Sequence, residues 1–132
     1  MTEQTNLSHF LLDYCAAFRP ENIPSVAKFY QLPVTMIFDG QVTVLKTEEE
    51  IIATLQAIMD RLIAKNFQYS RVDQSHVHRL TENTALISAS FSRLDTEGTV
   101  LEELGATYTL INDGNGYKIA VLVAHCTQAV IK

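Results

Sequence analysis

The chain has 132 residues, of which 47% are hydrophobic and 19% charged, and its formal net charge is -5. This balance is typical of a globular domain, and we expect a single domain over residues 1–132. Lysine and arginine form no cluster, so nucleic acid is not an expected partner. No apolar run approaches the roughly 20 residues of a membrane span and no signal-peptide pattern opens the chain, so we expect a cytoplasmic protein without a membrane partner. The two cysteines, Cys15 and Cys126, are too far apart in sequence for a metal or redox motif.

The first two predicted elements are helices. In NLSHFLLDYCAAF, apolar side chains recur at helical spacing, which predicts a helix that ends before Pro20, with Thr5 or Asn6 as its N-cap. The members of this stripe are Leu7, Phe10, Leu11, Tyr14 and Phe18. A short second helix is predicted over Pro24–Tyr30, because proline is favoured at the first helical position, and Pro33 is expected to end it.

A hairpin and a long helix follow. Asp39-Gly40 lies between two β-branched runs, which predicts paired strands over Val34–Phe38 and Gln41–Leu45. The sequence TEEE then forms a capping box, with Thr47 and Glu50 at the start of a third helix that ends near Asn66. Its apolar stripe comprises Ile51, Ile52, Leu55, Ile58, Met59, Leu62 and Ile63.

From Gln68 onward the hydrophobic period changes to two, which predicts strands. Four of them are expected, near residues 68–80, 84–94, 99–111 and 117–126. The turn-rich sequences TEN, DTEG and NDGNG separate them. Because these connections are short, the four strands should form an antiparallel meander.

The order of helix, helix, hairpin, long helix and meander resembles an NTF2-like (cystatin-like) domain of the SnoaL-like kind, over nearly the full chain. The resemblance is carried by the Asp39-Gly40 hairpin before the TEEE helix, by the strand ENTALISASF and by the final hairpin ATYTLINDGNGYKIAVLVAH. It implies an α+β fold of order α-α-β-β-α-β-β-β-β, in which a curled mixed sheet wraps around helices to form a cone with an apolar pocket. It also implies a homodimer through the outer face of the sheet.

The histidine pair in DQSHVHRL is the most informative polar feature of the meander. If TENT forms the following turn, His78 lies opposite Ile87 and His76 opposite Ala89, on the apolar face. Two residues along one strand are about 6.7 Å apart, which is close enough to share a metal ion, but no further ligand is predicted beside them. We therefore expect both histidines to line the cone without a metal, either as hydrogen-bonding groups or as acid–base groups.

The same register places Glu102, beside Phe91, on the apolar face together with Tyr108 and His125. The apolar residues expected on this face include Ala85, Ile87, Ala89, Phe91, Ile119, Val121 and Val123. The side chains expected to contact a ligand in the cone are Tyr14, Phe18, Phe38, His76, His78, Tyr108 and His125. Burial of Glu102 would raise its pKa and make it a candidate general base. A catalytic function would therefore depend on His76, Glu102 and Tyr14.

The resemblance implies a range of functions, since this fold carries many. Tyr14 is similar to the helix tyrosine of the ketosteroid isomerase branch, although the carboxylate of that branch falls on Phe38. The tyrosines and histidines resemble the pocket of scytalone dehydratase in residue type. The Asp-Arg-Asp cluster of limonene epoxide hydrolase is not matched, because Arg71 and Asp73 are predicted on the outer face.

The favoured function is binding of a small apolar or amphipathic ligand in the cone. The alternatives are a cofactor-free isomerase or lyase that moves a proton, and a structural dimerisation module. No cofactor is expected for any of these functions.

Overall fold

The computed structural model describes residues 3–132, except for the side chains of residues 3–6 and 8. Its elements are α1 (Glu3–Ala17), α2 (Ile23–Ala27), β1 (Tyr30–Phe38), β2 (Gln41–Leu45), α3 (Glu48–Ile63), β3 (Phe67–Arg79), β4 (Thr84–Asp95), β5 (Val100–Asn112), β6 (Tyr117–His125) and a short 3-10 turn (Thr127–Ala129). The strands form one sheet in the order β2-β1-β6-β5-β4-β3. Only β1 and β6 run parallel within this described part, and the other neighbours are antiparallel. This is the α+β arrangement predicted from the sequence.

The first helix presents its apolar stripe to the sheet. Leu7, Phe10, Leu11, Tyr14 and Phe18 are all buried, which confirms the predicted stripe. The helix already begins at Glu3, so Thr5 and Asn6 lie inside it, and their side chains are outside the described residues. The second helix is shorter than predicted, because the chain becomes extended at Tyr30 and Pro33 lies within β1.

The hairpin and the third helix confirm the local sequence patterns. Asp39 and Gly40 have φ angles of 52° and 80°, as a two-residue turn between twisted strands requires. At the start of α3, the hydroxyl of Thr47 accepts a hydrogen bond from the Glu50 amide at 3.1 Å. The Glu50 carboxylate accepts one from the Lys46 amide at 2.6 Å. The bond to Thr47 satisfies an amide group that the first turn of a helix leaves unpaired, and the bond from Lys46 fixes the residue before the cap.

The core lies between the helices and the concave face of the sheet. In β4 the inward residues are Ala85, Ile87, Ala89 and Phe91, as predicted, and all are buried. On α3 the buried residues are Ile51, Leu55, Met59 and Leu62. No helix within residues 3–132 is long and apolar enough to cross a membrane.

The register of β3 differs from the predicted one by one residue. The turn spans residues 80–83, because the amides of Leu80 and Thr81 both donate to the carbonyl of Thr84. His76 therefore lies opposite Ser88 and His78 opposite Leu86, on the convex face of the sheet. The expectation that these histidines line the cone is wrong, because a shift of one residue moves every side chain to the other face.

The register of β6 also changes within the strand. Leu110 pairs with Ile119 and Thr109 with Val121, so Ala120 is an extra residue in a β-bulge. Ile119 faces the core as predicted. Beyond the bulge the faces are exchanged, and Leu122 points inward while His125 points outward. The predicted inward orientation of His125, and of the valines at 121 and 123, is therefore wrong.

The last residues fold back over the convex face. The imidazole of His125 donates from Nδ1 to the carbonyl of Cys126 at 2.7 Å, because a carbonyl can only accept. In the neutral ring, Nε2 then accepts from the Thr107 hydroxyl at 2.7 Å. The Ser88 hydroxyl donates to Thr107 at 2.8 Å and accepts from the amide of Ile131 at 2.8 Å. This chain of hydrogen bonds fastens the C-terminal segment to β4, β5 and β6.

Gly105 provides the space that this arrangement requires. A Cβ atom at this position would lie 2.6 Å from Nδ1 of His125 and 2.7 Å from the carbonyl oxygen of Cys126. We expect Gly105→Ala to lower the free energy of unfolding by about 1–3 kcal/mol, measured by urea denaturation, because the backbone oxygen cannot move away cheaply. At a strand position with no atom close to the new Cβ, a glycine-to-alanine change instead stabilises the folded protein by up to about 1 kcal/mol. An unchanged or increased stability would contradict the close contact.

Candidate functional site

A cavity of about 80 Å³ lies in the cone, between α1, α3 and the concave face of the sheet. Its wall is mainly apolar and aromatic, and includes Phe91, Leu104, Leu122 and Ala124. The lining residues that were proposed as ligand contacts from the sequence are Tyr14, Phe18, Phe38 and Tyr108. His76, His78 and His125 are not part of the wall, because the convex face carries them.

Three tyrosines form one polar part of this cavity. The hydroxyl groups of Tyr14 and Tyr30 are hydrogen-bonded to each other. The ring of Tyr108 packs edge-on against Tyr14, with 6.0 Å between the ring centroids. No hydrogen bond joins the Tyr108 hydroxyl to another of the described residues. Helix α1 and strands β1 and β5 thus bring three phenols together from distant parts of the chain.

Burial keeps these phenols protonated. It raises the pKa of Tyr14 to about 12, although the hydrogen bond from Tyr30 acts in the opposite direction. Burial also raises the pKa values of Tyr30 and Tyr108 well above the ordinary value of a phenol. At neutral pH the three groups are therefore neutral hydrogen-bond donors, suited to an oxygen acceptor of a ligand.

Arg93 is the one charged residue in the described wall of the cavity. It lies on the inward side of β4, and its guanidinium carbon is 5.6 Å from the centroid of the Phe18 ring. Its Nη1 donates to Glu102 Oε2 at 2.7 Å. Arg93 is absent from the residues predicted from the sequence to line the cone, although it is the next inward position after Phe91.

The environment of Glu102 differs from the predicted one. The residue lies opposite Arg93, not Phe91, because the observed β4–β5 register differs from the predicted register by two residues. Burial raises its pKa, but the hydrogen bond and charge of Arg93, with the charges of Arg61 and Lys65, outweigh this effect and lower the pKa. The expected general base with a raised pKa is therefore not formed. Glu102 is instead the counter-ion of Arg93.

Cys15 is the remaining titratable group of the wall. Burial raises the pKa of its thiol to about 12, and the charge of Arg93 offsets this only in part. A thiol is a weak nucleophile unless its pKa is lowered, so Cys15 acts here as a small packing group. The arrangement can therefore hold an oxygen acceptor among phenols, but it offers no carboxylate or imidazole among the described lining residues to move a proton.

Metal binding requires several ligands in one place. Among the side chains that the structure describes, no three of His, Cys, Asp or Glu come close enough together to hold an ion. His76 instead shares a hydrogen bond of 3.1 Å with Gln74, and His78 donates to the carbonyl of Ile131 at 3.3 Å. Both histidines thus stabilise the convex face.

Comparisons with known proteins agree on the fold. The model of a family described as NTF2-like protein (DUF6841) matches residues 3–127. A search of curated proteins gives no match.

Three solved structures illustrate the likeness. Aln2 from a Streptomyces species has a TM-score of 0.74 and 18% identity, with 95% of this chain and 91% of that one covered. An NTF2-like protein with a cystatin-like fold from Novosphingobium aromaticivorans has a TM-score of 0.76 and 10% identity, covering 96% and 83%. The yeast UBP3-associated protein BRE5 has a TM-score of 0.72 and 18% identity, covering 100% and 98%. At these identities the likeness shows the fold alone, and it confirms the predicted NTF2-like cone.

The raised pKa of Tyr14, about 12, has a consequence for stability at high pH. The unfolded chain loses this proton near pH 10, so the free energy of unfolding is unaffected below that pH and falls as the pH rises towards 12, by up to about 1.4 kcal/mol per pH unit for each such tyrosine. We expect Tyr14→Phe to reduce the slope, measured by urea unfolding between about pH 9 and pH 12. Tyr69→Phe, at an exposed position, is the control and should leave it unchanged. Equal slopes in all three proteins would contradict a buried neutral phenol at Tyr14.

Proposed function

The chain belongs to the NTF2-like family, and we propose that its cone binds a small, largely apolar molecule that carries a hydrogen-bond acceptor, in the manner of a SnoaL-like binding domain. The observation that carries the proposal is the Tyr108 hydroxyl, which faces the cavity without a hydrogen bond to any described residue. This hydroxyl is open to the cavity, because Nε of Arg19 is the only described side-chain nitrogen or oxygen that is both fully buried and unpartnered. An oxygen acceptor on a ligand would take the place of solvent there and add a hydrogen bond worth about 0.5–1.5 kcal/mol.

The other two phenols support the same assignment. Tyr14 and Tyr30 share one hydrogen bond, which uses one hydroxyl hydrogen and leaves the other to donate to a ligand. The apolar residues Phe38, Leu104 and Leu122 would enclose the rest of the molecule. Binding sites for small molecules commonly combine an apolar wall with a few polar groups that fix orientation.

Binding is favoured over proton-transfer catalysis by the charges around the cavity. Phenols that donate to an oxyanion assist enolisation only when a base removes the proton. Glu102 is held as a carboxylate by Arg93, and its lowered pKa makes it a weaker base than an ordinary glutamate. Tyr14 therefore fits the role of a binding group better than that of a catalytic group.

The proposed hydrogen bond can be tested with acetone and isobutene, which share a shape but differ in the acceptor. We expect Tyr108→Phe to weaken acetone binding by about tenfold, the effect of one hydrogen bond, and to leave isobutene binding unchanged. The affinities are measured by titration with NMR detection of protein amide shifts.

Replacing either of two alanines by leucine tests whether the probes bind in the cavity. Ala124→Leu extends a side chain into the cavity and should abolish the binding of both probes. Ala53→Leu makes the same change at an exposed position of α3 and should have no effect. Binding that survives Ala124→Leu, or a ketone affinity that is equal in wild type and Tyr108→Phe, would contradict the proposal.

We also propose that the convex face forms a homodimer. Strand β2 exposes Val42 and Val44, with relative accessibilities of 63% and 50%. Cross-strand pairing places Ile37, Val121 and Val123 beside them on the same face. A contiguous apolar surface of this kind suits a two-fold interface, in which the same patch lies on both subunits.

Sedimentation analysis tests the dimer. We expect the wild-type chain to be dimeric and Val44→Asp to be monomeric, because the charge would be buried without a partner in the interface. Leu12→Asp places the same charge at an exposed position of α1 and should remain dimeric. A monomeric wild type, or equal behaviour of the two variants, would exclude this interface.

A further inference from the structure

The cavity has a second polar end, formed by a cation. The Arg93 side chain is only 15% exposed, and one face of its guanidinium lies over the ring of Phe18. Its charge extends into the cavity, since it lowers the pKa values of Tyr14, Cys15 and Tyr108 against the effect of burial. A cation this close to buried phenols is a group that a ligand inside the cone would meet.

Glu102, the counter-ion of Arg93, does not occupy all the hydrogen-bond donors of the guanidinium. Glu102 accepts one hydrogen bond from Nη1 of Arg93, at 2.7 Å. A guanidinium carries five N–H donors, and no other hydrogen bond joins this one to a described residue. The second oxygen of Glu102 lies 3.7 Å from Nη1 of Arg61, so one carboxylate is divided between two arginines. The Arg93 guanidinium therefore retains donors for a further acceptor.

The charge at the mouth of the cone has the opposite sign to that of the whole chain. Arg93, Arg61 and Lys65 surround the single carboxylate of Glu102. This group has an excess of positive charge in a chain whose formal net charge is -5. Such a local excess attracts an anion to the mouth even though the protein as a whole repels it.

We propose that the ligand of the cone is a small amphipathic carboxylate, whose head group pairs with Arg93 in place of Glu102 and whose apolar body lies against the aromatic wall. This inference rests on the proposed binding function and specifies its ligand class. Glu102 already demonstrates that a planar carboxylate fits this guanidinium, and arginine pairs with carboxylates through two parallel hydrogen bonds. Glu102 then acts as an internal competitor that keeps Arg93 paired when no ligand is present.

The enclosed space sets the size of the probes. The cavity volume of about 80 Å³ is smaller than the roughly 150 Å³ that admits benzene in an engineered cavity. Propionate and butyrate are therefore the probes, since the head group lies at the mouth and only the short alkyl body enters. Their neutral isosteres, propionamide and butyramide, have the same shape without the charge. Calorimetric titration measures the affinity of each.

In the wild-type chain we expect each carboxylate to bind at least about tenfold more tightly than its amide, as for a hydrogen bond to a charged group. Arg93→Met should remove this preference and leave the amides within about twofold of wild type. Glu102→Gln should strengthen carboxylate binding several-fold, because the competing charge is gone, and should not change amide binding.

A matched control separates this effect from overall charge. Arg71→Met removes one positive charge on the convex face, where Arg71 pairs with Asp73 at 2.9 Å. It should leave the affinities of all four probes unchanged. An equal loss of carboxylate binding in Arg71→Met and Arg93→Met would overturn the inference, because the effect would then be non-specific.

The outcomes distinguish the two proposals. If amides bind as tightly as carboxylates, the ligand class is wrong while the binding function stands. If none of the four probes binds, both are overturned. If Arg93→Met does not fold, Glu102→Gln decides, and a carboxylate affinity no higher than wild type overturns the inference.

Discussion

The parallel pairing of β1 with β6 is the constraint on which the cone depends. It joins the N-terminal hairpin to the meander, with Met36 opposite Leu122 and Phe38 opposite Ala124. Without it, β6 would be an edge strand and the cavity would lack one side. Parallel neighbours need a long connection, and here the chain between them contains α3 and four strands. The wall of the cavity is therefore assembled from both ends of the sequence.

The pairing of β1 with β6 also explains which polar residues line the cavity. Tyr30 begins β1 and is brought to Tyr14 on α1, while Tyr108 reaches Tyr14 from the middle of the sheet. Phenols tolerate this burial because each has a large apolar ring and a single hydroxyl. Arg93 is tolerated for a different reason, since Glu102 neutralises it and Phe18 covers one face. One end of the cavity is thus neutral and donating, and the other is cationic.

Local patterns were sufficient to predict the elements and their order. The turn at Asp39-Gly40 and the cap at Thr47 depend only on neighbouring residues, and both form as expected. The inward face of β4 could also be predicted, because its two-residue period runs unbroken from Ala85 to Phe91. Continuing that period by one step identifies Arg93, so this residue could have been found from the sequence.

The orientation of the histidines could not be predicted in the same way. It depends on whether the turn after β3 contains Leu80 or Thr84, and on an extra residue at Ala120 in β6. Neither position carries a glycine or another residue that marks such an irregularity. Each error is a single residue along the strand, but it moves a side chain from the cavity to the opposite surface. Paired registers are tertiary information that one sequence contains only weakly.

The hydrogen bond from the Ile131 amide to Ser88 makes the end of the chain part of the convex surface. Ser88 is opposite Thr107, and Thr107 is opposite Val123. The row continues through Ile37 to Val42, so this attachment point shares a cross-strand row with an exposed valine of β2. An affinity tag fused after Lys132 would begin beside that row. The position of a tag is therefore a structural variable in this protein, because a C-terminal fusion would alter the surface on which its assembly is measured.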